Sequence, residues 1–222
     1  MSKKGKISLA ILIIIILICA GAIIAWFSFG KKALNDPLFG IRVSEDLGAD
    51  ARELVEGRIE MTRQLYEKEP DKWDTWIAIG NAWSSVGEYE KAISAFQKSL
   101  DINPLNMIGN SNIAEIYRQN FEDYEMAEQY YRLAINNNLV DSDLYIRLGR
   151  MLDKKMGKKE EAEAVYTEGL EKIGLANELL IELIQLYEDA GDEEKMKEMI
   201  QILLERNPDN EGFSRRWGSA LE

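Results

Sequence analysis

Carboxylates are the side chains of this sequence with the numbers and spacing to do chemistry. The chain holds 39 Asp and Glu residues, and adjacent acidic pairs occur at 122–123, 160–161 and 193–194. Two neighbouring carboxylates can serve as general acid and general base. Each of these pairs, however, lies at the start of an amphipathic segment, where the positive end of a helix dipole favours acidic residues. We therefore interpret the pairs as helix-start residues.

The residues that most often accompany carboxylates in catalysis are missing. The sequence has no histidine, which removes the commonest general base, the Ser and Cys triads and most zinc sites. Its single cysteine, Cys19, lies in a long apolar stretch. The segment 156–159 (MGKK) lacks the preceding glycine and the Ser or Thr of a phosphate-binding loop. We predict no enzyme, no catalytic residue, no metal site and no cofactor.

A pair of amphipathic helices recurs about every 34 residues between Trp73 and Asn210. In the first copy the apolar or small residues follow the spacing of one helix face, with Gly87 as a break and Pro104 as the end. These residues are Trp76, Ile79, Gly80 and Trp83 in the first helix, then Ala92, Phe96 and Ser99 in the second. Two helices cannot bury two apolar faces by themselves, so such units must stack on one another.

Three further copies follow in phase. Their first helices carry Asn110, Ile113, Ala114 and Tyr117; Tyr145, Leu148, Gly149 and Leu152; and Leu180, Leu183, Ile184 and Tyr187. Their second helices carry Ala127, Tyr131 and Ala134; Ala162, Tyr166 and Gly169; and Met196, Ile200 and Leu203, with Pro208 closing the last copy. The second and third copies each have one extra residue in the turn between their helices, a place where an insertion leaves the apolar faces unshifted.

This pattern resembles the tetratricopeptide repeat (TPR) family. The resemblance implies an all-α fold, a right-handed solenoid of about four helix-turn-helix repeats with capping helices. Within it we expect Gly80 to face Ala92 and let the paired helices approach closely. The expected units are a leading helix at 50–72, repeats at 73–106, 107–141, 142–176 and 177–210, and a capping helix at 211–222 that carries Phe213, Trp217 and Leu221. An exposed aromatic tail is the alternative for the last segment.

The first thirty residues differ from the repeats in composition. Residues 7–29 carry no charge, and 23 residues of helix extend roughly 35 Å, enough to cross a bilayer with some tilt. We predict a transmembrane anchor at 1–30 and a linker at 31–49. The alternative is a signal peptide cleaved near residue 22, since residues 20–22 (AGA) are small.

Charge bears on orientation and on partners. Lys3, Lys4 and Lys6 precede the apolar stretch and Lys31 and Lys32 follow it, which favours a cytoplasmic N-terminus and repeats outside the inner face of the membrane. Cytoplasmic repeats stay open as the alternative. The first thirty residues hold three of the 27 basic residues and no acid, which leaves 24 basic against 39 acidic residues and a net charge of −15 beyond them. Such a surface repels nucleic acid, so we expect no nucleic-acid partner.

The resemblance also implies a binding surface. In TPR proteins the first helices of successive repeats line a concave groove that holds peptides or helices. The equivalent positions here, which we call the groove residues, are Ile77, Asn81, Ser84, Asn112, Glu115, Arg118, Arg147, Arg150, Ile181 and Gln185. Isolated aliphatic residues among polar groups suit a peptide or an amphipathic helix better than a small molecule.

Some TPR proteins clamp a C-terminal carboxylate with two lysines, two asparagines and an arginine. Asn81, Asn112 and Arg147 match three of those positions, but Ile77 and Asp143 occupy the lysine positions, and Asp143 would repel a carboxylate. We therefore expect groove binding without this clamp. The predicted function is a membrane-anchored adaptor for a partner protein or peptide, of the kind that assists secretion or assembly of envelope proteins. The alternative is a self-associating scaffold, a homo-oligomer formed through the fourth repeat and the Phe213–Trp217 segment.

Overall fold

The computed structural model describes residues 36–38, 40–137 and 140–221. The predicted anchor at 1–30 and its alternative, the cleaved signal peptide, lie outside the described residues. Within the described ranges, no helix combines the length and apolar character needed to span a membrane.

The described part of the chain is helical and contains no strand, which confirms the all-α expectation. Short turns connect consecutive helices. The helices are α1 Ala49–Lys68, α2 Trp73–Ser85, α3 Tyr89–Ile102, α4 Met107–Ile116, α5 Tyr124–Asn137, α6 Ser142–Lys154, α7 Lys159–Ile173, α8 Asn177–Ala190, α9 Glu193–Arg206 and α10 Glu211–Trp217.

Four helical hairpins, α2–α3, α4–α5, α6–α7 and α8–α9, stack in chain order. Their apolar faces form three buried clusters, one near each end of the stack and one in the middle. Side chains shared between clusters join them: Tyr117 and Tyr130 contact the first and the second, and Leu170 and Met196 contact the second and the third. The apolar core therefore runs along the whole stack, as expected of a solenoid.

Glycines in two first helices make room for aromatic rings. A Cβ atom at Gly80 would lie 2.4 Å from Cε1 of Phe96, and one at Gly149 would lie 2.2 Å from Cε1 of Tyr166. The ring of Phe96, one turn beyond Ala92 along α3, fills the space above Gly80. The close approach at this glycine is therefore between backbone and ring, and the pairing of Gly80 with Ala92 stays a prediction.

In the other two hairpins, the residues at the glycine position and at the position of the aromatic ring also have compensating sizes. In the second, Ala114 stands at the glycine position, and the ring of Tyr131 belongs to the same buried cluster. In the fourth, Ile184 stands there, and the aromatic ring is replaced by Ile200. A bulky residue in the first helix thus accompanies a smaller one in the second, which preserves dense packing.

The extra residue of the second and third repeats lies in the turn between the paired helices. In the second repeat, α4 continues as a π-helical turn, Tyr117–Phe121, and Glu122 follows with φ 53°. In the third, Gly157 adopts φ +67°, and the Lys158 amide donates to the Leu152 carbonyl at 2.8 Å. A π-helical turn accommodates a single insertion inside a helix. Both devices keep the second helices in register with their neighbours.

Part of the predicted linker belongs to the folded domain. Leu38 is fully buried in the cluster at the N-terminal end of the stack. The Trp83 indole Nε1 donates to the Pro37 carbonyl at 2.9 Å, and Arg63 Nε lies 3.1 Å from Asp36 Oδ2. These contacts attach the segment to α1 and α2, so it is not a free tether at this point.

The C-terminal segment covers the fourth hairpin. Trp217 is 7% exposed and packs with Leu180, Ile184, Ile200 and Leu203 in the third cluster. A 3-10 turn, Gly218–Leu221, follows α10. Because the indole is buried in its own chain, this segment does not form the exposed aromatic tail considered as the alternative.

We predict that Gly149→Ala destabilises the domain by roughly 1–3 kcal/mol, because the new methyl group collides with the buried Tyr166 ring. Gly57→Ala is the matched control: α1 has nothing within 4 Å of a Cβ at that position. The control should stabilise by up to about 1 kcal/mol through helix propensity. Urea unfolding followed by circular dichroism measures both. Equal effects of the two substitutions would contradict the ring-over-glycine packing.

Candidate functional site

Contacts between consecutive first helices place most of the groove residues on one face of the stack. Asn112 Nδ2 donates to Asn81 Oδ1 at 3.3 Å, which joins α4 to α2. Arg147 contacts Glu115 between α6 and α4, and Arg150 contacts Glu182 between α6 and α8. These contacts link α2 to α4, α4 to α6 and α6 to α8 along one face of the stack.

Ile77 does not contribute to this surface. It is 9% exposed and belongs to the cluster around Phe96 and Trp83. Ser84 and Gln185 are half-buried, and Ile181 is half-buried against the third cluster. The prediction of Ile77 as a groove residue is wrong because this side chain is buried in a cluster that also contains Leu38 and Ile59.

Glu115 is the centre of a hydrogen-bonded group that spans two repeats. Its carboxylate accepts from the Tyr131 hydroxyl at 2.5 Å, from Arg118 Nη2 at 2.7 Å and from Arg147 Nη1 at 2.8 Å. Gln119 Nε2 donates to the same carboxylate at 2.5 Å. Burial opposes ionisation of Glu115, but the hydrogen bonds from Tyr131, Arg147 and Arg118 outweigh it and lower its pKa to about 2.

Arg147 contacts two carboxylates of its own chain. Besides Glu115, its Nε donates to Asp143 Oδ2 at 2.5 Å within α6. The hydrogen bond to Glu115 is the main reason that the pKa of Arg147 is raised, and Asp143 adds to it. An arginine with two carboxylates has little positive charge left for a ligand. The absence of a carboxylate clamp in this groove stays a prediction.

Arg150 forms the corresponding bridge to the fourth repeat. Its Nε and Nη2 donate to Glu182 Oε2 and Oε1 at 2.8 and 2.5 Å, a two-pronged pair. Glu182 is 6% exposed, and the Tyr166 hydroxyl lies 3.4 Å from its Oε2. The hydrogen bond that Arg150 donates to Glu182 is the main reason that the pKa of Arg150 is raised.

Sequence reasoning missed Glu182, although a signal for it exists. Arg147 follows Glu115 by 32 residues, and Glu182 follows Arg150 by the same number. Oppositely charged residues nearly one repeat apart on first helices are therefore the pattern to search for. The bridge through Arg150 is the same contact as the one through Arg147, with the charges exchanged.

A pocket opens at the N-terminal end of this surface, between α1 and α2. It measures about 630 Å³, and small residues of α2 form one wall. Met61 on the opposite wall is 70% exposed, and Leu54 one turn before Arg58 is also exposed. The lining residues are Arg58, Met61, Thr62, Gln64, Leu65, Lys68, Ala78, Asn81, Ala82 and Ser85. Asn81 connects the pocket with the rest of the groove.

The carboxylate pairs noted in the sequence lie away from this pocket. Glu160 and Glu161 occupy the first turn of α7, and Glu193 and Glu194 occupy that of α9, as the helix dipole favours. Among the described residues, no three His, Cys, Asp or Glu side chains form a group that could hold a metal ion.

Three segments of the chain, residues 73–106, 111–139 and 142–171, match the tetratricopeptide repeat family. They coincide with the first three hairpins, and proteins of this kind also resemble the chain in structure. The chain therefore belongs to the tetratricopeptide repeat family. The fourth hairpin, α8–α9, lies outside these three matches and continues the stack.

Known proteins resemble the chain to different extents. Over 108 residues it is 30% identical to Protein bimA of Emericella nidulans, a match that covers 49% of this chain and only 13% of that protein. MamA superposes with a TM-score of 0.56 at 18% identity, covering 75% of this chain and 97% of MamA. YrrB, described as a TPR protein with an unusual peptide-binding site, superposes at 0.52 with 18% identity and covers 72% and 81%. At such identities the two structures show a shared fold.

We predict that Glu115→Gln lowers the free energy of unfolding by about 2 kcal/mol at pH 7, because the neutral amide loses the charge-assisted bonds to Arg118 and Arg147. The folded pKa lies below the ordinary value of 4.5, so this contribution is present above that value and disappears as pH falls toward 2. Urea unfolding between pH 2 and 7 measures the difference. Glu56→Gln, at an exposed site of α1, is the control and should change little. A pH-independent difference would contradict the role given to Glu115.

A second prediction concerns the buried carboxylate of Glu182. Arg150→Met leaves that carboxylate without its cation and should cost roughly 2–3 kcal/mol. In a Glu182→Gln background, the same substitution should cost less than about 1 kcal/mol, since no buried charge is abandoned. The double-mutant cycle by urea unfolding gives the coupling. Additive effects would show that the pair does not join the third and fourth repeats.

Proposed function

We propose that this protein is an adaptor that holds a segment of a partner protein in its groove. The observation that carries the proposal is the pocket between α1 and α2, whose exposed methionine and small-residue wall leave room for apolar side chains. Apolar recesses with a few polar groups are the usual form of peptide-binding surfaces. The TPR fold supports the proposal, because it presents such a surface along its first helices.

The charged part of the groove has a different role in this proposal. Arg118, Arg147 and Arg150 are paired with Glu115 and Glu182, so they stiffen the stack. Binding then relies on apolar contacts at the N-terminal end and on amides such as those of Asn81 and Asn112. A preorganised surface loses little conformational entropy when it binds, which favours affinity.

Membrane attachment is the second part of the proposal, and the sequence supports it. The uncharged stretch at 7–29 would anchor the chain, with the repeats outside the inner face of the membrane. An adaptor in this position would assist assembly or secretion of envelope proteins. The alternative of a self-associating scaffold has less support, because Trp217, which was to form its interface, is buried in its own chain.

Site-specific photo-crosslinking in cells tests the adaptor. A crosslinking amino acid at Met61 or at Asn112 should capture the same protein, since both positions lie on the groove surface. The matched control is Lys98, an exposed residue of the second helix α3. Capture from Lys98 that is as strong as capture from Met61 and Asn112 would contradict the groove hypothesis. A captured protein with the mass of a second copy of this chain would favour the scaffold instead.

A further inference from the structure

Two cations in the pocket differ from the cations of the rest of the groove. Arg118, Arg147 and Arg150 each contact a carboxylate. Arg58 and Lys68 line the pocket, and among the described residues neither side chain has a carboxylate partner or a hydrogen-bond acceptor. None of the described residues that line the pocket is acidic. In a chain with a net charge of −12, such a pocket is a local reversal of charge.

The four pocket residues Arg58, Met61, Leu65 and Lys68 form a single stripe along α1. Their spacing of three, four and three residues places them on one helix face. At 1.5 Å per residue, the two cations stand about 15 Å apart along the helix axis, with the two apolar side chains between them. The opposite wall contains the small side chains of Ala78 and Ala82, which leave room for apolar groups of a ligand.

This arrangement specifies the chemistry of an occupant. Apolar side chains fit between α1 and α2, and carboxylates on either side of them meet Arg58 and Lys68. Exposed ion pairs add modest affinity, but they exclude like-charged partners and so determine specificity. A basic segment would be repelled by both cations, and a purely apolar segment would form no ion pair with either of them.

We propose that the pocket binds an acidic amphipathic segment of a partner protein, in which apolar residues lie between carboxylates. This inference rests on the proposed adaptor function. The chain's own first 35 residues do not have this chemistry, since they carry five lysines and no acid. The C-terminal helix α10 packs at the other end of the stack. A long nucleic acid would meet the acidic surface around the pocket.

Selection from a random twelve-residue peptide library, displayed on phage with blocked free ends, tests the ligand class on the full chain in mild detergent. Enriched peptides should be net acidic and contain at least two large apolar residues. Their affinity, measured by fluorescence anisotropy, should fall about tenfold in Arg58→Gln/Lys68→Gln. The control Lys155→Gln/Lys197→Gln removes the same charge at two exposed positions outside the pocket and should leave affinity unchanged.

Neutral or basic enriched peptides, or affinities equal in both double variants, would overturn the inference, as would a selection without enrichment. Circular dichroism is the check that the variants are folded. We expect them to be, because the substituted residues are exposed. Failure here is distinguishable from failure of the adaptor proposal. If Met61 and Asn112 still capture one partner whose crosslinked segment lacks carboxylates, the adaptor stands and the acidic ligand class falls.

Discussion

Every helical hairpin in this protein has an apolar side that is exposed to solvent unless another element of the fold packs against it. The hairpins cover one another, and shared side chains such as Tyr117 and Leu170 make their clusters continuous. The two ends need covers of another kind. Trp217 supplies one, and α1 with the buried Leu38 supplies the other. Because α1 is long and its outer face is not needed for the core, it is free to form one wall of a pocket.

Electrostatics follows from the same stacking. First helices of neighbouring repeats lie close enough for side chains about 32 residues apart to meet, and the arginines of α6 use this to reach both neighbours. Glu115 and Glu182 are mostly buried. Moving their arginine partners to a ligand would leave these carboxylates unpaired, which costs free energy. The middle of the groove is thereby committed to structure. In our proposal, recognition falls to the N-terminal pocket, where the cations Arg58 and Lys68 have no carboxylate partner among the described residues.

Much of the fold could be predicted from residue spacing, and the site only in outline. Apolar periodicity at 3, 4 and 7 residues indicated the paired helices, and their recurrence indicated stacking. Yet the same pattern misjudged Ile77, did not indicate that the Phe96 ring packs over Gly80, and treated the region of Leu38 as a linker. Helical periodicity reports which face is apolar. It does not report which residue of a neighbouring helix meets that face.

By itself the sequence determined the helical repeat, the lack of histidine-based chemistry and the acidic surface, because these depend on residue type and local spacing. Only the tertiary structure decided which groove charges are available. Whether Arg147 is free or paired depends on Glu115, a residue of another helix, and the pocket depends on how α1 stands against α2. Contacts between helices are set by packing along the whole stack, and that information is absent from any single segment.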